Sequence, residues 1–493
     1  MYGRRPRADY FILFLLTLLA LGLRVATITA QPLSGDEAMH LQPLGLWEMA
    51  HLDLAFNPPL FRLLVRLCTM VSATPLAARL VPLLAGVATI PLLFFVLRRH
   101  LSLAAASWAT LFLAIHPWHI RHCQTVRSYT LLTFLWLLSV AHTWSAIADS
   151  PARTTRTAMG RHLSIALLLL CTHYLGFMLL AMEIAILLAH RRWRLGLPLA
   201  ALVGLAAVAL GPLLGFAAGA KFAGSAAPYT AGFPFVGTAL MTMATPGGLS
   251  LLAVWLLVAV GGLKSEVRIL AWLAGGWLLA VPLIGLAIPI ELRYALPALP
   301  LVLALAGHGA AKLCSTGGTI RKCAGAGITL LACAGIAYLI PTYYRAPLDP
   351  RPASERHRDL VHDATPIADF VQTYLALKST SQSGPLVLVG RGPVEHQVLL
   401  ALGGGRYPDV TTHSLTATKR SYRSAGFQLH VHESPHRPAE PCPPWPELPF
   451  ALLVEAPFAC DLPTTCQTKQ SGGQFTLHHC PRRWRDGARR GRP

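Results

Sequence analysis

The chain has 493 residues, of which 54% are hydrophobic and only 13% charged, against roughly a quarter charged in ordinary soluble domains. That composition excludes an ordinary soluble protein and describes a polytopic membrane protein. The balance is basic, 42 Lys plus Arg against 22 Asp plus Glu, but the cations fall between apolar runs, where they orient helices rather than bind nucleic acid.

Runs of about twenty apolar residues can span the hydrocarbon core. They fall near 10–30, 76–97, 101–119, 128–148, 163–190, 196–217, 247–263, 269–290, 295–311 and 324–341. Arg4, Arg5 and Arg7 keep the N-terminus cytoplasmic. Arg98-Arg99, Arg153/Arg156/Arg161, Arg191-Arg192-Trp193-Arg194, Lys264/Arg268 and Arg321-Lys322 should share that side. A cleaved signal peptide over residues 1–30 is the competing reading, but the rest of the chain keeps its charge alternation best with this helix retained. The stretch 163–190 is basic at both flanks, which predicts a helical hairpin or re-entrant pair with Thr172-His173-Tyr174 at its tip. The alternation then gives about twelve membrane passes. It puts the 31–75 loop and everything after Tyr343 outside the cytoplasm, in an integral, multi-pass protein of the cytoplasmic (inner) membrane.

Three regions follow: a transmembrane domain over 1–342 with a catalytic loop at 31–75, an extracytoplasmic soluble α/β domain over 343–481, and a basic, disordered tail over 482–493. In the soluble domain, Asp363 to Leu377 and Val394 to Leu402 read as helices. Pro385 to Gly390 and Phe450 to Val454 read as buried strands. Gly390-Arg391-Gly392 is a plain strand-to-helix turn, too weak for a nucleotide site. Cys442, Cys460, Cys466 and Cys480 suggest two disulfides, with three connectivities open. A zinc site with His478 and His479 lacks the paired spacing such sites use.

Chemistry gathers in the outer loops. Asp36 and Glu37 stand side by side in Ser34-Gly35-Asp36-Glu37-Ala38-Met39-His40, just after the first apolar run. If 36–49 is an interfacial helix, Asp36 and His40 share one face. Two readings of the acidic pair stay open: Asp36 is a base whose proton affinity is raised by partial burial beside Glu37, or the pair caps a helix N-terminus. The loop from His116 to Tyr129 carries His116, His119, His122, Arg121 and Arg127 and reads as a cationic surface suited to a lipid-linked phosphate or to headgroup anchoring. Arg293-Tyr294 adds a third outer cation, with Glu291 as its neighbour.

The ordered set Gly35-Asp36-Glu37-Ala38, Asn57-Pro58-Pro59-Leu60-Phe61, Ala78-Arg79-Leu80, Arg127-Ser128-Tyr129, His173-Tyr174 and Arg293-Tyr294-Ala295-Leu296-Pro297-Ala298-Leu299-Pro300 resembles the glycosyltransferase C superfamily. The similarity is to its protein O-mannosyltransferase and lipid A aminoarabinose transferase branch. It covers roughly residues 10–310, and Arg24 late in the first helix also fits. Asn57 stands where the family often has His, and Thr125 where it often has Glu. The resemblance implies a sugar transferred from a polyprenyl-phosphate donor to a lipid, glycan or protein acceptor outside the cytoplasm. It implies Asp36 and Glu37 as catalytic carboxylates. His40, Arg127, Tyr129, His173, Tyr174, Arg293 and Tyr294 become substrate-binding residues, with the arginines on the carrier phosphate or sugar. A single displacement would invert the anomeric centre. A divalent metal has room to share the phosphate load, but the sequence requires no cofactor.

A polytopic transporter or lipid flippase without glycosyl transfer is the main alternative. It should show internal repeats or ionisable residues near the bilayer centre. No clear repeat is visible, and Arg79, His142, Glu183 and His308 read as scattered, without evident partners, with Glu183 supporting the hairpin from within the bundle. A third reading is a non-catalytic assembly partner that presents its external domain.

Overall fold

The computed structural model describes residues 6–26, 28–29, 33, 37, 40, 58–72, 74–148, 156–224, 233–244, 248–262, 267–284 and 292–345. Beyond these it describes 371–372, 374–376, 386–390, 398–399, 402, 411–416, 419–423, 428–433, 450–455, 467–472 and 475–480. The chain divides into two units. One comprises Met1–Ile28, Leu44–Cys68 and Arg79–Ala346; the other comprises Thr29–Pro43, Thr69–Ala78 and Pro347–Pro493.

The helices run in chain order as α1 Pro6–Val25, α2 Leu60–Val71, α3 Pro75–His100, α4 Leu103–Ala114, α5 Pro117–Cys123, α6 Tyr129–Ala148, α7 Arg156–Leu170 and α8 Leu175–Ala189. There follow α9 Trp193–Gly224, α10 Phe233–Ala244, α11 Gly248–Gly262, α12 Arg268–Ile284, a 3-10 turn η1 Leu292–Ala298, α13 Leu299–Ser315 and α14 Thr319–Arg345. Five described segments are long and apolar enough to cross a membrane: Ala8–Val25, Pro75–His100, Tyr129–Ala148, Leu292–Ser315 and Thr319–Tyr338. Local chemistry sets several boundaries. Ser102 caps α4 by accepting from the Ala105 amide at 3.2 Å, and Pro75 and Pro117 open α3 and α5, where no backbone donor is needed.

The stretch 163–190 is two helices, not one. The chain breaks at Cys171-Thr172-His173-Tyr174, where the amides of Thr172 and His173 both turn back onto the Leu169 carbonyl. Each arm has 15 residues, about 22 Å of helix. At the far end α8 closes with Arg191 at φ 57°. The amides of Arg191 and Arg192 donate to the Leu188 and Leu187 carbonyls, the left-handed C-terminal motif that more often uses glycine.

Helix α13 is the core element, with every residue from Leu299 to Gly307 buried. Its neighbours approach closely because small residues face it. A Cβ on Gly309 would collide with the Leu257 carbonyl of α11, one on Gly261 with the Leu305 carbonyl of α13, and one on Gly307 with Ala109 of α4. Such small-residue seams drive helix association where lipid offers no hydrophobic gain.

Helix ends assigned to one side by charge do meet. Arg98 Nε donates to Asp9 Oδ2 at 2.8 Å, joining the end of α3 to the start of α1. His100 stacks on Trp144 with centroids 4.2 Å apart, and Arg192 donates to the Ile147 carbonyl at 2.9 Å.

The second unit contains a seven-stranded mixed sheet in the order β2-β3-β4-β1-β5-β7-β6. Its strands are β1 Leu386–Gly390, β2 Thr411–Thr416, β3 Lys419–Arg423, β4 Gln428–Glu433, β5 Phe450–Glu455, β6 Gln467–Gly472 and β7 Phe475–Cys480. β1 is parallel to both β4 and β5, and the other pairings are antiparallel. Leu386, Leu388, Leu429 and Leu477 are buried. The two apolar strands expected from sequence are β1 and β5. Val371-Gln372, Tyr374-Leu375-Ala376 and Val398-Leu399 supply the helical residues seen within the two expected helices. Cys442, Cys460 and Cys466 lie outside the described residues, as do the tail and most of the 31–75 loop before Pro58.

Overpacking a close seam costs roughly 1–3 kcal/mol. Gly309→Leu should therefore lower the apparent melting temperature of the purified protein by several degrees. Gly262→Leu, where an added Cβ meets nothing within 4 Å, should leave it nearly unchanged.

Candidate functional site

The site is built around the end of α1. Arg24 is fully buried, and its guanidinium donates to the carbonyls of Ala20 at 3.0 Å, Ala114 at 2.8 Å and Leu113 at 3.1 Å, and to His119 Nδ1 at 2.7 Å. Leu113 and Ala114 end α4, where carbonyls lack helical partners and carry partial negative charge. The cation is thus satisfied by a helix terminus rather than by an acid. Gln124 fastens the next corner, donating to the Arg24 carbonyl at 2.9 Å and the Ala26 carbonyl at 2.7 Å.

This corner revises the reading of the His116–Tyr129 loop. His116, His119 and His122 are buried, beyond the end of α4 at Ala114. Burial pushes His116 down to about 4, with its Nε2 3.0 Å from the Met243 carbonyl. Burial, then the neighbouring Arg24 charge, holds His119 well below the usual histidine range, which suits a ring nitrogen accepting from a guanidinium. His116 and His119 therefore add no positive charge to the loop near neutral pH.

Beyond this corner three distant segments converge. Tyr129 opens α6, His173 sits in the α7–α8 turn and Tyr294 lies in η1. Their rings are 5.3 Å (Tyr129 to His173), 6.0 Å (Tyr129 to Tyr294) and 6.0 Å (His173 to Tyr294) apart. Arg293 Cζ lies 5.4 Å from the Tyr129 ring centroid, within cation–π range. His122 adds a fourth ring 6.0 Å from Tyr129. Hydrogen bonds fix two of these residues. His173 Nδ1 accepts from the Leu175 amide at 3.1 Å, and the Tyr294 carbonyl accepts from Trp277 Nε1 at 2.9 Å. The Leu60 amide, at the end of Asn57-Pro58-Pro59-Leu60, donates to the Cys171 carbonyl at 2.9 Å, which brings that motif to the His173 turn.

Of the residues expected from sequence, Tyr129, His173, Arg293 and Tyr294 form one cluster. Tyr174 is the next residue in the same turn, half-buried, its phenol pushed up by burial. Arg127 is half-buried two residues before Tyr129. Glu37 and His40 are buried and belong to the second unit. Asp36 lies outside the described residues. No group of three or more His, Cys, Asp or Glu side chains able to hold a metal occurs among the described residues. Sequence reasoning missed Trp277 and the bracing by Gln124; a lone Trp or Gln in these segments carries no distinguishing signal.

No family model and no curated protein matches the chain. Among solved structures it shares the fold of ArnT from Cupriavidus metallidurans in the apo state, a lipid A aminoarabinose transferase, at TM-score 0.57 and 12% identity over 96% of this chain and 98% of that one. The same protein bound to undecaprenyl phosphate matches at 0.56 and 11%, over 94% and 97%. The Archaeoglobus fulgidus oligosaccharyltransferase, tethered by a disulfide bond to an acceptor peptide containing the NVT sequon, matches at 0.50 and 14%, over 81% and 63%. Both neighbours are glycosyltransferase C proteins.

His116 is depressed in the folded state, so the unfolded chain takes up the proton first as pH falls. The stability tied to its neutral form is present above about 6.5 and lost as pH drops towards 4, on the order of 3 kcal/mol. The apparent melting temperature should fall over that interval, and His116→Gln should flatten the fall.

Proposed function

We propose that the chain is a membrane glycosyltransferase that moves a sugar from a polyprenyl-phosphate donor to a lipid, glycan or protein acceptor on the extracytoplasmic face. The observation that carries this reading is the convergence of Tyr129, His173, Arg293 and Tyr294 from segments far apart in sequence. The fold shared with a transferase bound to undecaprenyl phosphate supports the donor class.

The reaction needs one proton accepted and one departing anion stabilised. The acceptor hydroxyl oxygen attacks the anomeric carbon while the bond from that carbon to the carrier phosphate breaks. Asp36 takes the hydroxyl proton, and Glu37 beside it keeps that proton affinity high. Arg127 and Arg293 offer donors to the leaving phosphate. Tyr129, Tyr294, His173 and Tyr174 present ring faces and polar edges to sugar and carrier, and His40, four residues from Asp36 in sequence, orients it. A single displacement inverts the anomeric centre. A divalent ion could share the phosphate charge.

The reading carries its topology with it: about twelve passes with the N-terminus cytoplasmic, a transmembrane domain over 1–342, an extracytoplasmic α/β domain over 343–481 and a basic tail over 482–493, in the cytoplasmic membrane.

The transporter or flippase reading draws on one observation. Glu183 is not isolated: it accepts from Ser139 at 2.9 Å and Thr143 at 2.6 Å and lies 3.4 Å from His162. Yet His162 is only six residues into α7, about 9 Å from the helix start, which argues for the basic end of the bundle rather than its middle.

Purified protein in nanodiscs should transfer radiolabelled sugar from at least one polyprenyl-phosphate donor. Asp36→Asn should lose roughly 10²–10⁴-fold, and Arg293→Gln about 10–100-fold in kcat/KM. Full transfer by Asp36→Asn would remove that residue from the mechanism. Donor movement across sealed vesicles with no sugar transfer to any acceptor would favour the flippase.

A further inference from the structure

Three helices end or begin at the aromatic cluster, and a polar clasp joins the same three farther along. Tyr129 opens α6, and His173 sits in the turn between α7 and α8. Ser139 comes ten residues after Tyr129, and Glu183 comes ten residues after His173, roughly 15 Å of helix in each case. At that level Glu183, fully buried, accepts through Oε2 from Ser139 Oγ at 2.9 Å and from Thr143 Oγ1 at 2.6 Å. Ser139 and Thr143 are four residues apart and share one face of α6. The single Ser139 proton goes to Glu183, so its oxygen accepts from His162 Nε2 at 3.0 Å. His162 belongs to α7, eleven residues before His173, and the same nitrogen lies 3.4 Å from Glu183 Oε2. The His142 ring of α6 stacks on His162 with centroids 5.7 Å apart.

Stability alone does not call for an acid here. Thr89, Thr133 and Thr329 satisfy their hydroxyls on the carbonyl four residues back in their own helices, at 2.8, 2.7 and 2.8 Å. Ser139 and Thr143 instead reach across to α8. An apolar side chain of similar volume commonly stabilises a protein interior as well as a buried acid or better. What a buried polar set adds is a single register, because sliding one helix along another strips its hydrogen bonds. A slip of one residue is about 1.5 Å, enough to open or crush the 5.3 Å contact between the Tyr129 and His173 rings.

We propose that Glu183 is a positioning residue for the donor site: with Ser139, Thr143 and His162 it locks α6 to the α7–α8 hairpin in one axial register and thereby sets Tyr129 against His173. The equal ten-residue spacing makes clasp and ring contact two rungs of one ladder. The catalytic consequence rests on the transferase reading of the ring cluster, whereas the register itself does not.

The full chain in nanodiscs is tested by two readouts. One is sugar-transfer kinetics. The other is the Cε1 resonance of His173 in histidine-labelled protein, identified by its loss in His173→Gln and sensitive to the ring currents of Tyr129 and Tyr294. Glu183→Leu should shift that resonance and lower kcat/KM about tenfold or more, with the apparent melting temperature nearly unchanged. Glu183→Gln, which keeps an acceptor oxygen for both hydroxyls, should restore both readouts. Leu187→Ala, one turn farther along α8 and equally buried, opens a cavity and should lower the melting temperature, yet leave kcat/KM and the His173 resonance as in the wild type. An unmoved His173 resonance in Glu183→Leu overturns the proposal, as does an equal change in Leu187→Ala, which would mean general loosening. Wild-type protein that transfers no sugar would sink the transferase reading, and the His173 resonance would still decide whether the clasp sets the register.

Discussion

A buried cation organises the end of the helical unit where α1 finishes. Arg24 is fully buried and reaches three backbone carbonyls and one imidazole. An unpaired guanidinium in such a place would cost several kcal/mol. It is tolerable because the last carbonyls of α4 are partly negative, and the Leu113 carbonyl accepts from both Arg24 and the His116 amide. The consequence propagates along the chain. α5 folds against the α1 end, Gln124 clips the following turn to the Arg24 and Ala26 carbonyls, and Tyr129 begins its helix from a fixed point.

How much of this was legible depended on the kind of signal. Apolar runs with charged punctuation marked the helices, and the double basic flank around 163–190 disclosed a break that hydropathy alone hides. The Arg-x-Tyr, His-Tyr and Arg-Tyr pairs were visible as motifs, but nothing in their spacing says that the Tyr129, His173 and Tyr294 rings come within 6.0 Å of one another. His116 and His119 misled because composition reports their number, whereas burial decides their charge. Glu183, which read as scattered, proves to be the neighbour of His162 across α7 and α8. In the second unit the apolar strands β1 and β5 were plain. β2, β3 and β6 carry Thr, Ser, His, Lys, Arg and Gln instead of an apolar alternation, whereas β4 has only Leu429 and Val431 between polar residues, too short a pattern to stand out. β2 and β6 are also the sheet edges, where polar residues guard against unwanted pairing.

The two ends of the helical unit are built differently. One gathers aromatic rings with an arginine over a ring face. The other gathers exposed arginines, an ion pair at Asp9–Arg98 and the stacked His142–His162 pair.

The glycine seam of α13 bears on how such a protein could move. Gly309 and Gly261 bring α13 and α11 so close that neither helix can rotate without driving a side chain into a carbonyl. Arg293 and Tyr294 sit in η1, joined directly to the start of α13, and so inherit that immobility. They act as the fixed jaw of the cluster. Whatever displacement admits and releases a bulky substrate must be carried by the elements that face them.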